Sequence, residues 1–145
     1  MARVKIDMPK SFSFIATIPI RISDINYGGH VGNDTLLTII HEARVQFINH
    51  LGYSELNLAG AGLIMSGVMI DFKSELFYGD IIKASVASGN LSKISFDLFY
   101  KLEKESINGG VLPVAYAKTG MVCYDYPNKK IIPVPEEVKL KLLKQ

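Results

Sequence analysis

The spacing of apolar residues divides this chain into a strand, a long helix and then a series of strands. Phe12 to Ile22 is rich in Phe, Ile and Thr and predicts a strand, with Pro19 marking an edge or an irregular start. From Asp34 to Leu51 the pattern turns helical. Leu37, Ile40, Phe47 and Leu51 fall on one side, widened by Leu36, Ala43 and Ile48, while Thr35, Thr38, Glu42, Gln46 and Asn49 fall on another. A stripe this broad predicts a helix wrapped by a sheet. Asn33 or Asp34 is suited to cap its start, and Gly52 to end it.

Beyond Ala59-Gly60-Ala61-Gly62 the period shortens to that of strands. Val68, Ile70 and Phe72 alternate with Met69, Asp71 and Lys73. A turn is expected at Tyr78-Gly79-Asp80, a strand over Ile81 to Ala87, and a further turn at Ser88-Gly89-Asn90. Ile94, Phe96, Leu98, Tyr100 and Leu102 then alternate with Ser95, Asp97 and Lys101. Asn108-Gly109-Gly110 turns the chain into a last long strand, Val111 to Tyr126, with Gly120 as a bulge or bend. Pro135-Glu136-Glu137 opens a short helix ending in Lys139, Lys141 and Lys144, the charge order that a helix dipole favours. One long helix against an antiparallel sheet is an α+β arrangement. With no repeat or linker, residues 1–145 read as a single domain.

Composition narrows the classes. Hydrophobic residues at 48% and charged residues at 21% fit a folded chain. A net charge of +2 with scattered lysines argues against a nucleic-acid partner. No segment has the apolar length of a membrane span, and Met1 to Phe14 lacks a signal-peptide core, so a soluble cytoplasmic protein is expected. Cys123, within Met121-Val122-Cys123-Tyr124, reads as a buried inert thiol. His30, His41 and His50 lack metal-ligand spacing, and no metal is expected.

Candidate chemistry gathers in Asp24-Ile25-Asn26-Tyr27-Gly28-Gly29-His30-Val31-Gly32-Asn33-Asp34. A helix that starts after such a loop offers free backbone N–H groups to a polarised oxygen. His30 is the one side chain in the loop that titrates near neutral pH.

These residues also carry a resemblance. The run from Arg21 to Asn33, followed by His41-Glu42-Ala43-Arg44, resembles the hotdog-fold acyl-CoA thioesterases of the 4-hydroxybenzoyl-CoA thioesterase type, with their pattern R-x-x-D-x-D-x-x-G-H-V-x-N and then E-A-R. Asp71-Phe72-Lys73-Ser74-Glu75-Leu76-Phe77-Tyr78-Gly79-Asp80 is similar to their D-F-x-x-P-L-x-Y-G-D, and Ser92-Lys93-Ile94-Ser95-Phe96 to their G-x-S-S-F-type strand. The resemblance implies a hotdog fold, a curled antiparallel sheet around one long central helix. It also implies a homodimer or dimer of dimers with sites at the interface, and hydrolysis of an acyl-CoA substrate without a further cofactor, coenzyme A being part of the substrate.

By position, Asn33 would supply the N–H that polarises the thioester carbonyl, with His30 beside it to orient the thioester or act as base. Asn26 stands where the family usually has its catalytic Asp, and a neutral amide cannot take a proton as a carboxylate does. Asp34 and Glu42 are therefore the alternative catalytic carboxylates, set against roles as helix cap and as ion-pair partner of Arg44. Asp24 is a further candidate carboxylate, two residues from Asn26, set against a role as loop anchor bound to Arg21 or Arg44. Tyr27, Gly28, Gly29, Met65, Ser66 and Lys93 complete the expected substrate-binding positions, Lys93 facing the phosphates of coenzyme A.

Overall fold

The computed structural model describes residues 4–144. β1 (Phe14–Pro19) leads through a 3-10 turn at Ile22–Asp24 to helix α1 (Asn33–His50). Strands β2 (Gly62–Phe72), β3 (Ile81–Gly89), β4 (Ser95–Glu105) and β5 (Val111–Asp125) follow. A short strand β6 (Lys130–Ile131) pairs with the end of β5, and α2 (Glu136–Leu143) ends the fold. The sheet is antiparallel, in the order β1-β3-β4-β5-β2. It curls around α1, as the broad apolar stripe requires.

The stripe itself is shifted from the expected one. Leu36, Ile39, Ile40, Ala43, Phe47 and Ile48 are buried, whereas Leu37 is only half-buried. Ile39 replaces Leu37 because the face is centred on the Leu36–Ile40–Ala43–Phe47 row, one i, i+3/i+4 track around. Phe47, Ile40 and Ile48 meet Phe96, Leu98, Tyr100, Leu102 and Met121 in one core. Ile94 stands outside it, exposed before β4 begins.

The expected helix cap is also corrected. Gly32, not Asn33 or Asp34, is the N-cap, with extended backbone (φ −78°, ψ 167°), and no side chain bonds the first-turn amides. The helix thus starts one residue earlier than its apolar pattern suggests. Gly52 does stand past its end with φ +95°, the left-handed conformation that suits glycine.

Two sheet irregularities matter for the site. The register of β2 against β5 shifts between Met65 and Gly67, so Ser66 is the bulged residue, and its hydroxyl donates to the Gly120 carbonyl at 3.1 Å. The bulge expected at Gly120 therefore lies on the opposite strand. It also explains how Leu63, Met65 and Ile70 all reach the core despite the odd step from 65 to 70. The second shift lies where Leu102 pairs with Ala115 and Glu103 with Pro113, leaving Val114 extra on β5. The Val114 carbonyl then accepts the N–H groups of Lys73 and Ser74.

Candidate active site

The loop from Ile25 to Gly32 is shaped by its own backbone. Ile25 and Val31 form an isolated bridge, and Asn26 N–H donates to the His30 carbonyl at 3.0 Å. Gly29 turns the loop at φ +84°, a conformation costly for any residue with a Cβ. The Asn26 Oδ1 accepts the Gly28 N–H at 2.9 Å. That bond fixes the amide's orientation and leaves its NH₂ facing Gly32, where a Cβ would lie 3.2 Å from Asn26 Nδ2. Asn26 is thus arranged as a donor.

His30 is about one-third exposed, and its Nδ1 lies 3.1 Å from the Val31 carbonyl. A carbonyl can only accept, so this contact calls for Nδ1–H and leaves Nε2 as the basic nitrogen of the neutral ring. Together with Val31, Gly32, Asn33 and Leu36, His30 lines a groove of about 280 Å³. The opposite wall is Phe72, Lys73, Ser74, Glu75 and Leu76. The groove opens on the start of α1, whose first amides have no intrahelical acceptor.

Of the expected site residues, His30 and Asn33 line this groove, and Asn26 and Gly28 adjoin it. Asp34 lies in the first turn, its Oδ1 2.8 Å from where a Gly32 Cβ would be. Tyr27 does not join them: it projects fully into solvent. Glu42 is nine residues further along the helix, about 13 Å from its start. It belongs to a separate hollow with Arg21, Asp24 and His41 and accepts from Gln46 Nε2 at 2.9 Å. Its expected partner Arg44 instead binds Glu55 at 3.1 Å. Asp24 anchors the 3-10 turn through the Arg21 N–H at 2.8 Å. Met65, Ser66 and Lys93 also stand apart. Met65 pairs with Met121, whereas Phe72 of the groove pairs with Ala115 seven residues up β2, about 23 Å along the strand. Lys93 lies exposed before β4, where its carbonyl accepts the Val134 N–H.

The sequence reading missed Glu75. Its carboxylate stands 3.9 Å from His30 Nε2. Its signal was available in Ser74-Glu75-Leu76, a charged residue where the resembled pattern has proline. Lys73 pairs with Asp71 at 3.0 Å and lies over the Tyr116 ring. Cys123 is fully buried, and burial pushes its thiol up to about 11, which removes it as a nucleophile. Among the described residues no cluster of His, Cys, Asp or Glu could hold a metal ion. No helix there is long and apolar enough to cross a membrane.

The comparison with known families decides what this architecture is. Residues 20–142 match the model of the thioesterase-like superfamily. The chain belongs to that superfamily. A 1,4-dihydroxy-2-naphthoyl-CoA hydrolase from Microcystis aeruginosa is 32% identical over 123 residues, covering 83% of this chain and 86% of that protein. A putative esterase from Aquifex aeolicus is 27% identical over 133 residues, covering 90% of this chain and 98% of that one. The structure of 4-hydroxybenzoyl-CoA thioesterase from Pseudomonas sp. strain CBS-3 superimposes with a TM-score of 0.79 at 17% identity, covering 90% of this chain and 99% of that one. Such a likeness establishes the shared hotdog fold of this thioesterase-like chain. It leaves the assignment of chemistry to the groove's own residues.

Proposed function

We propose that the protein hydrolyses an acyl-CoA thioester to a carboxylic acid and free coenzyme A, with the thioester carbonyl polarised at the N-terminus of α1. The observation that carries this reading is the uncapped start of α1 opening beside His30 in a thioesterase-like chain. Preorganised N–H groups stabilise the oxyanion that develops as the carbonyl is attacked. Asn33 contributes such a group, and the Asn26 NH₂ adds a second donor from the loop.

His30 acts as general base. Its Nε2 takes a proton from water as the water oxygen bonds to the acyl carbon and the carbonyl electrons move onto oxygen. When the intermediate collapses, the C–S bond breaks and the thiolate takes that proton from the imidazolium. Asp34 and Glu42 have no proposed part in proton transfer. Asp34 favours the helix dipole from the first turn, and Glu42 lies too far along α1.

The proposed assembly is a homodimer or a dimer of dimers. Among the described strands β2 pairs with β5 alone, and beyond Leu63, whose N–H donates to the Glu55 carbonyl, its middle from Ser66 to Met69 offers an edge to a second copy. A two-fold pairing centred between Val68 and Met69 would lay Met65 of one copy beside Phe72 of the other. Met65 and Ser66 would then serve the groove across the interface, with Lys93 toward the coenzyme.

A second reading is a non-hydrolytic acyl-thioester binder, favoured by Asn26 in place of the acid. Free-thiol release over a panel of acyl-CoAs separates the two. Turnover by the wild type that falls about 10²-fold or more in His30→Ala supports hydrolysis through this loop. Binding of the panel with no thiol release by the wild type would refute hydrolysis. Higher activity in Asn26→Asp would mark Asn26 as a lost carboxylate rather than a working donor.

A further inference from the structure

We infer that Glu75 is the charge partner of His30, a positioning residue that supplies the negative charge absent at Asn26. The inference rests on the hydrolase reading above and concerns the same groove. Three independent features support it.

The first is orientation. His30 Nδ1 faces the Val31 carbonyl, so Nε2 is both the proton-accepting nitrogen and the one 3.9 Å from Glu75 Oε1. That separation suits charge pairing and exceeds a hydrogen bond. Neutral His30 therefore keeps its Nε2 lone pair open to water. Only after proton uptake does the Nε2–H⁺ face the carboxylate.

The second is how firmly the backbone of Glu75 is held. The Val114 bulge takes the Lys73 and Ser74 N–H groups, and Ser74 Oγ donates to the Pro113 carbonyl at 2.7 Å. Lys104 Nζ donates to the Glu75 carbonyl at 2.7 Å. The next residue, Leu76, is buried, and its carbonyl accepts the Val31 N–H at 2.9 Å. The segment carrying Glu75 is thus stitched to the residue that follows His30. This anchoring fixes where the Glu75 backbone stands, while its side chain is exposed at the rim of the groove.

The third is chemical need. Proton uptake from attacking water creates an imidazolium next to a helix start that repels cations. The first carboxylate of the resembled loop pattern, Asp24, is turned away to Arg21, and the second is Asn26. Asp34 lies within the helix's first turn, and the carboxylate that stands 3.9 Å from His30 Nε2 is that of Glu75. The opposite wall also carries Lys73, but Asp71 holds its ammonium.

The charge acts on the intermediate. Water gives its proton to Nε2, the imidazolium is held beside Glu75 during the tetrahedral stage, and the same proton leaves with the coenzyme A thiolate. Glu75 itself neither gains nor loses a proton.

Kinetics of variants on the acyl-CoA that the wild type hydrolyses fastest test the assignment. Glu75→Gln keeps the shape and removes the charge, and kcat is expected to fall roughly 10²-fold with KM changing by less than about threefold. Glu75→Asp should recover part of that loss. The double variant His30→Ala with Glu75→Gln should be no slower than His30→Ala alone, because a charge that acts through His30 has nothing left to act on. Glu75→Ala should regain turnover with added sodium formate, a response that a merely structural role would not give. Full activity in a folded Glu75→Gln, or multiplying losses in the double variant, would overturn the Glu75 assignment while hydrolysis by the wild type stood. A wild type that hydrolyses none of the panel would overturn both.

Discussion

Gly32 shows how one side chain's absence can keep a site open. Its backbone is extended at φ −78°, which any residue adopts, so conformation alone does not demand glycine. Space does: an added Cβ would lie 2.8 Å from Asp34 Oδ1 and 3.2 Å from Asn26 Nδ2. Both neighbours are side-chain tips that can turn away, so Gly32→Ala should fold with a cost below about 1 kcal/mol. The methyl group would, however, stand at the start of α1 and displace the Asn26 donor. We expect kcat/KM to fall by about tenfold or more, since small misplacements near reacting atoms are costly. Parallel thermal melts and thiol-release assays check this, and unchanged kinetics would argue against an oxygen site there. At this scale the chain told much. The glycine-rich loop, His30 and Asn33 could be named from the sequence, because residue type and order alone single them out, and His30 and Asn33 do line the groove. Glu75 stood out only as a charge where the resembled pattern has proline; that it meets His30 depends on the Val114 bulge and on the Leu76 carbonyl bound to Val31 N–H, long-range contacts that its local sequence does not show.

At the scale of elements, α1 carries a polar seam through an apolar face. Arg44 is buried, binds Glu55 at 3.1 Å and reaches the Tyr100 hydroxyl at 3.4 Å, which in turn pairs with Thr119 Oγ1 at 2.8 Å. Burial works against the Arg44 charge, but Tyr100 and Glu55 outweigh it, so the guanidinium stays firmly protonated. Burial also holds the Tyr100 phenol neutral, above its ordinary range, with Arg44 only partly offsetting it. The seam ties the helix to the adjacent strands β4 and β5 and to the loop carrying Glu55. Tyr100→Phe removes the hydroxyl but keeps the ring, leaving Thr119 and one Arg44 donor without it. It should lower stability by about 1–3 kcal/mol, read as a lower Tm. A melting curve that matches the wild type would show the seam to be incidental. The helix and its apolar period were legible in the sequence. The partner of Arg44 was not, since helical spacing offers Glu42 nearby, while Glu55 reaches it only after the chain turns at Gly52.

For the whole molecule, the decisive feature is the exposed margin of β2. Val68, Met69 and Phe72 are each about 40% exposed along the last strand of the sheet order, which among the described strands pairs with β5 alone. Edge strands of this length and apolarity are normally covered or charged, and here Ser66 to Met69 carry no charge. The opposite edge, β1, is shorter and ends at Pro19, which weakens it as a template for pairing. Alternation in the sequence revealed β2 as a strand, but its place at the sheet margin depends on the long-range pairing of β2 with β5. One copy leaves Met65 and Ser66 far from the groove beside His30, and the proposed antiparallel pairing through this margin would bring them to it. Light scattering should therefore give a mass of at least twice the 16.0 kDa chain. Replacing Val68 and Met69 together by Glu would set four carboxylates around one two-fold axis, where like charges facing each other oppose pairing. We expect that variant to scatter as a monomer, to keep the wild-type circular dichroism, and to lose thiol release. A monomeric wild type that still hydrolyses acyl-CoA would place the complete site within one chain, and the role given to Met65 and Ser66 would fall.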